Sequence, residues 1–175
     1  MSTPRTVPQE DHVNALSDSE IAAIDAELAH LPYRSAAAIE ALRVVQAHRG
    51  WVSDESLRAV ARYLEMPAEE VEGIATFYNL IFRRPVGERV ILLCDSVSCW
   101  MTGSDRLCRG VRERLGIGPG QTSGDGRFTL LTVPCLGACD RAPVMMIGDD
   151  LYTDLDGDAL GRAIDAHRGG AGDGQ

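Results

Sequence analysis

The chain has 175 residues, a formal charge of -9 from 26 acidic and 17 basic side chains, and five cysteines. An acidic balance of this size argues against a nucleic-acid or anionic-membrane surface, which needs clustered Lys and Arg to neutralise phosphate. No run of about 18 to 20 apolar residues is present to span a bilayer, and the opening MSTPRTVPQEDHVN lacks the apolar core of a secretion signal, so a soluble, cytoplasmic protein is expected.

Residues 1–16 are polar and aperiodic and carry Pro4 and Pro8, which predicts a disordered arm. SDSEIAAIDAELAHL follows with capping-box spacing at Ser17 and Glu20 and with Ile21, Ile24, Leu28 and Leu31 at helical intervals, up to Pro32. A second helix is expected through SAAAIEALRVVQAHRG, capped by Ser35, apolar at Ala38, Ile39, Leu42 and Val45, and ended by Gly50. A third starts at Ser53 with Leu57, Val60, Ala61 and Leu64 on one face, and a fourth at Pro67 with Val71, Ile74, Ala75 and Tyr78. Four short amphipathic helices with tight connections make a small bundle over residues 17–82.

The period then changes. RVILLC, residues 89–94, is a short continuous apolar run and reads as a buried strand. SDRLCRGVRERLG predicts a helix capped by Ser104, with Leu107, Cys108, Val111 and Leu115 on one face and Gly116 at its end. DGRFTLLTV supplies a turn and a second strand, PVMMIGDDLYTDL two strands about a turn at Gly148, Asp149 and Asp150, and GDALGRAIDAHR a closing helix. This order predicts an α/β domain of the thioredoxin-like kind with a mixed sheet over residues 86–168, followed by a flexible tail, GGAGDGQ, at 169–175.

Cysteines in a chain without an export signal point to metal binding or redox chemistry rather than to disulfides. Four of the five form two pairs: Cys94 and Cys99 as C-x4-C, then a gap of 35 residues, then Cys135 and Cys139 as C-x3-C. Each pair falls where a predicted strand gives way to a loop. Neighbouring strands ending at one sheet edge would gather the four sulfurs around one point. A 2Fe-2S cluster takes four thiolates, two per iron, and wide spacers within each pair suit it, although the spacing differs from the plant-type ferredoxin pattern. Structural zinc more often uses C-x2-C but accepts longer spacers, and four unrelated thiols remain a further reading. A catalytic dithiol needs C-x-x-C at a helix start, which is absent. Gly137 leaves room for backbone N–H groups to turn towards sulfur, whereas Asp95 and Asp140 place negative charge nearby. Cys108 is expected to be a small hydrophobe on its helix, and His12, His30, His48 and His167 have no ligand spacing. No catalytic triad is legible.

The segments ATFYNLIFRRPVGERVILLCDSVSC, GQTSGDGRFTLLTVPCLGACDRAPVMMI and IEALRVVQAHRGWVSDESL resemble the E-subunit family of NADH-quinone oxidoreductase, respiratory complex I. The resemblance implies a helical N-terminal domain and a thioredoxin-like domain holding one 2Fe-2S cluster on Cys94, Cys99, Cys135 and Cys139. It further implies single-electron exchange with the FMN of a flavoprotein F subunit. That partner carries FMN, the NADH site and a 4Fe-4S cluster, beside a large iron-sulfur G subunit. The expected place is a peripheral arm on the cytoplasmic face of the inner membrane, with no membrane insertion and no complete active site in this chain. NAD-dependent formate dehydrogenases and hydrogenases use the same module, and a zinc-stapled interaction module is the alternative of a different class.

Overall fold

The computed structural model describes residues 15–168; most of the expected arm and all of the expected tail lie outside the described residues. The chain divides into two compact units between Pro85 and Val86.

In the first unit four α-helices, α1 (Asp18–Leu28), α2 (Ala38–Arg49), α3 (Asp54–Leu64) and α4 (Ala68–Phe77), enclose one apolar core. The capping box that opens α1 is complete: Ser17 accepts from the Glu20 N–H, and the Glu20 carboxylate accepts from the Ser17 N–H. Ser53 caps α3 in the same way through the Ser56 N–H, and Gly50 ends α2 in the left-handed conformation at φ 83°. Ser35 does not cap α2. It lies in a 3-10 turn, Arg34–Ala37, which brings the chain round after Pro32, and α2 begins without a side-chain cap. Pro67 precedes α4 as its N-cap, and Tyr78, expected on the α4 face, is extended and partly exposed because the helix ends at Phe77.

Ile24, Leu42, Val45, Val60, Leu64 and Val71 fill the core, and Leu16, placed by the sequence in the arm, packs against it. Many core residues are alanines, so helices come close while each contact removes little apolar area. A partly buried ion pair joins α1 to α2. Arg49 on α2 grips Glu20 on α1 with two hydrogen bonds of 2.6 Å, and also donates to Ser56 Oγ and to the Ala15 carbonyl. The Glu20 side chain is 1% exposed. Burial acts to raise its pKa, but the Arg49 guanidinium and the Ser17 N–H outweigh burial and hold it below the usual carboxylate value. Arg83, beyond α4, ties the same unit to itself by donating to the Val52 carbonyl, Asp54 and Glu72.

The second unit is a five-stranded mixed sheet of order β2-β3-β1-β4-β5, built from β1 (Arg89–Cys94), β2 (Gln121–Thr122), β3 (Phe128–Val133), β4 (Met145–Ile147) and β5 (Asp150–Tyr152). β1 runs parallel to β3, with Cys94 opposite Val133, and antiparallel to β4. Parallel neighbours need a long crossover. It is made of α5 (Val97–Thr102), α6 (Ser104–Leu115) and the β2 hairpin strand. Ile91 and Leu93 share a core with Phe128, Leu130, Met145 and Ile147, which α6 and α7 (Gly157–Arg168) cover through Leu107, Val111, Leu160 and Ile164. Two details correct the sequence reading. Ser104 is the first, buried residue of α6 rather than its cap, because Gly103 occupies the N-cap in a left-handed conformation. α5 begins at Val97 within the segment between Cys94 and Cys99, so Cys99 lies on α5 and not in a loop.

Gly87 shows how tightly the sheet is entered: a Cβ there would lie 2.8 Å from the Arg127 carbonyl carbon. Its N–H donates to Thr129 Oγ1 over 2.6 Å.

Because removing one partner strands a buried charge, Arg49→Ala should cost about 3 to 5 kcal/mol in urea unfolding. The folded-state pKa of Glu20 is depressed, so its contribution is present above the unfolded value near about 4.3 and is lost as pH falls through the folded value. Acid titration of stability should therefore be shallower in Arg49→Ala than in the unaltered chain, and equal slopes would contradict the pairing.

Candidate metal centre

The ends of β1 and β3 deliver the two cysteine pairs to one edge of the sheet. Cys94 is the last residue of β1, and Cys135 comes two residues after the end of β3, in a loop that reaches a 3-10 turn at Cys139–Arg141. The strand ladder continues past both ends: Asp95 N–H donates to the Val133 carbonyl over 3.0 Å, and Cys94 N–H to the Val144 carbonyl over 3.1 Å. The peptide between Ala142 and Pro143 is cis. Cys94, Cys99 and Val144 form a small buried cluster of their own, lined by Leu136, Ala138 and Ala142.

The sulfurs are held as two unlike pairs. Cys94 and Cys99 are buried, at 1% and 0% exposure, while Cys135 and Cys139 are exposed with their sulfurs 3.6 Å apart. Main-chain donors face them. Gly137, left-handed at φ 84°, turns its own N–H onto Cys135 Sγ over 3.3 Å, as the sequence predicts for that glycine. Burial pushes the Cys94 thiol up, yet the Ser96 hydroxyl and the N–H groups of Ser96 and Leu136 outweigh burial and hold it below the ordinary thiol value. Cys99 goes the other way: burial raises it, and the Ser96 hydroxyl and Val144 N–H only partly oppose that. In the exposed pair the hydrogen bond and charge of Cys135 raise Cys139. In each pair one thiol is raised by its neighbouring sulfur: Cys99 by Cys94 and Cys139 by Cys135.

Among the described residues, no three His, Cys, Asp or Glu side chains gather as the ligands of a single ion. The fold brings the four cysteines to one sheet edge as two pairs, one buried and one exposed. Leu136, in the loop of the exposed pair, packs against the buried pair Cys94 and Cys99. A 2Fe-2S cluster asks for two thiolates on each of two irons, whereas structural zinc asks for four ligands on one ion. The donor set therefore fits a two-iron cluster. Cys108 is half-buried against the main core of its unit. His30 and His48 are exposed on the other unit, His167 bonds Tyr152 and Asp150, and His12 lies outside the described residues.

A family profile described as thioredoxin-like [2Fe-2S] ferredoxin matches residues 24–168. The chain belongs to that family. Within the thioredoxin-like ferredoxins it is similar to the E subunit of NADH-quinone oxidoreductase from Pseudomonas aeruginosa, with 47% identity over 87% of this chain and 92% of the relative. The E subunit from Escherichia coli strain K12 is 46% identical over the same shares. Among solved structures, an NAD+-reducing [NiFe]-hydrogenase in its H2-reduced state aligns with a TM-score of 0.62 and 24% identity over 73% of this chain. The chain spans 22% of that hydrogenase chain, and the likeness is one of fold. No described helix is long and apolar enough to cross a membrane.

Sequence reasoning missed α5, Ser96 and the Leu136 and Val144 N–H donors. A serine three residues before Cys99, with Gly103 four residues after it, carries the cap and stop of a short helix. Main-chain donors carry no such letter.

The unequal burial predicts unequal reactivity. In the metal-free, reduced chain, iodoacetamide should modify Cys135 and Cys139 well before Cys94 and Cys99, read by mass spectrometry of quenched time points. Equal labelling of all four would contradict the described site.

Proposed function

We propose that this chain is the electron-transfer subunit of an NADH-quinone oxidoreductase, holding one 2Fe-2S cluster on Cys94, Cys99, Cys135 and Cys139. The observation that carries the reading is the delivery of two cysteine pairs to one sheet edge, with N–H groups turned onto their sulfurs. Family membership and the E-subunit relatives support it. When bound, the cluster supplies storage and release of one electron.

The residues of the chain hold and insulate. Cys94 and Cys99 close the buried side against Val144, Leu136 and Ala138, which keeps water from the inner sulfurs. Cys135 and Cys139 leave the outer side open. Beside it α5 exposes Val97, Trp100 and Met101, at 69%, 59% and 75%, so an approaching redox partner meets an apolar patch next to the exposed pair. Trp100, next to Cys99 on α5, is exposed.

In this reading the partner is the flavoprotein that carries FMN and the NADH site, with a large iron-sulfur subunit beyond it. Single electrons pass between that flavin and this chain, at the cytoplasmic face of the membrane. The helical unit serves as a further docking element.

Anaerobic reconstitution of the full chain with iron and sulfide tests the cluster. About two irons and two sulfides per chain, a reddish-brown colour and an EPR signal on dithionite reduction are expected, and Cys99→Ala or Cys135→Ala should lose most of it. A folded, colourless chain with one zinc would overturn the reading. The partner is tested separately: NADH should reduce the reconstituted chain only after the flavoprotein is added, and reduction by NADH without it would contradict the assignment.

A further inference from the structure

Ser96 sits between the two buried cysteines of the site. It is the N-cap of α5, and its Oγ accepts from the Cys99 N–H over 3.4 Å. The same oxygen lies 3.4 Å from Cys94 Sγ, whose thiol proton it accepts. One oxygen thus touches the Cys94 sulfur and the backbone of Cys99, both members of the buried pair. A helix cap needs only the lone pair, which leaves the hydroxyl proton free for another acceptor. Once Cys94 gives up its proton to bind metal, its sulfur becomes that acceptor, and the direction of the Ser96–Cys94 contact reverses.

We propose that Ser96 donates its hydroxyl proton to the metal-bound Cys94 sulfur and thereby raises the reduction potential of the cluster held by the four cysteines. The inference rests on the 2Fe-2S reading above. Reduction brings one electron from an external donor, and the added negative charge is shared with the sulfur ligands. A hydrogen bond to those sulfurs favours the more negative, reduced form. The oxygen is fixed by its cap bond and by the turn between β1 and α5, so the donor needs no rearrangement when charge arrives.

Three variants of the full chain, reconstituted alike, test this. Ser96→Ala removes the hydroxyl, and Ser96→Gly removes it at little cost to the cap, because glycine is a good N-cap residue. Ser96→Thr retains it. EPR-monitored redox titration should show both deletions shifting the ratio of reduced to oxidised cluster about tenfold towards oxidised at a given potential, about 59 mV for a one-electron couple. Ser96→Thr should stay near the unaltered chain. A loaded Ser96→Ala or Ser96→Gly protein with an unchanged midpoint would overturn the proposal. So would loss of the cluster from both deletions while Ser96→Thr loads normally, because the hydroxyl would then act in assembly. If the unaltered chain itself forms no 2Fe-2S cluster, the underlying reading fails instead, and the two failures are told apart by that control.

Discussion

The parallel pairing of β1 with β3 is the constraint on which the site depends. Parallel neighbours end at the same edge, so the residues that leave them are brought together without any loop having to search for the other. The register puts Cys94 level with Val133, two residues before Cys135. An antiparallel pairing of the same two strands would place the two cysteine pairs at opposite edges. Everything that makes the pairing possible lies in the crossover: α5, α6 and the β2 strand carry the chain back, and α6 covers the sheet face that the two strands share.

Much of this organisation is legible in the residues. The change from helical spacing to the run RVILLC separates a bundle from a sheet, and the glycines at 50 and 116 mark helix ends because left-handed backbone is cheap there. Serine is the less faithful sign. Ser17 and Ser53 cap helices, while Ser35 and Ser104 do not, since a hydroxyl near a helix start can serve a turn or be buried as easily as cap. α5 has six residues, too few for a period to emerge, and β2 has two.

The cysteine spacing likewise announces a four-thiol site, and the resemblance it supports agrees with the family to which the chain belongs. Their division into a buried and an exposed pair is not written in the spacing. It follows from where each residue falls: Cys94 at the end of the central strand and Cys99 on the inner side of a short helix are inevitably enclosed, while Cys135 and Cys139 follow β3 out to the edge. The donors to sulfur are partly peptide groups, which every residue has. Only glycine at 137, needed for a positive φ, advertises one of them.

The first unit solves a different problem. An alanine-rich core removes modest apolar area per contact, so many alternative helix registers would bury nearly as much. Arg49 reaches α1, α3 and the Ala15 carbonyl at once, and those directional bonds are satisfied in one arrangement of the helices.

The cap at Ser96 and the ladder bonds of Cys94 and Val144 have a consequence for speed. The dipoles around the inner sulfurs belong to strand and helix ends that are already in place, so a change of charge there turns few groups and displaces little water. Solvent reorganisation on a change of charge is thus concentrated at the outer, exposed pair. For the proposed electron transfer, a partner docked there would lower that cost by excluding water.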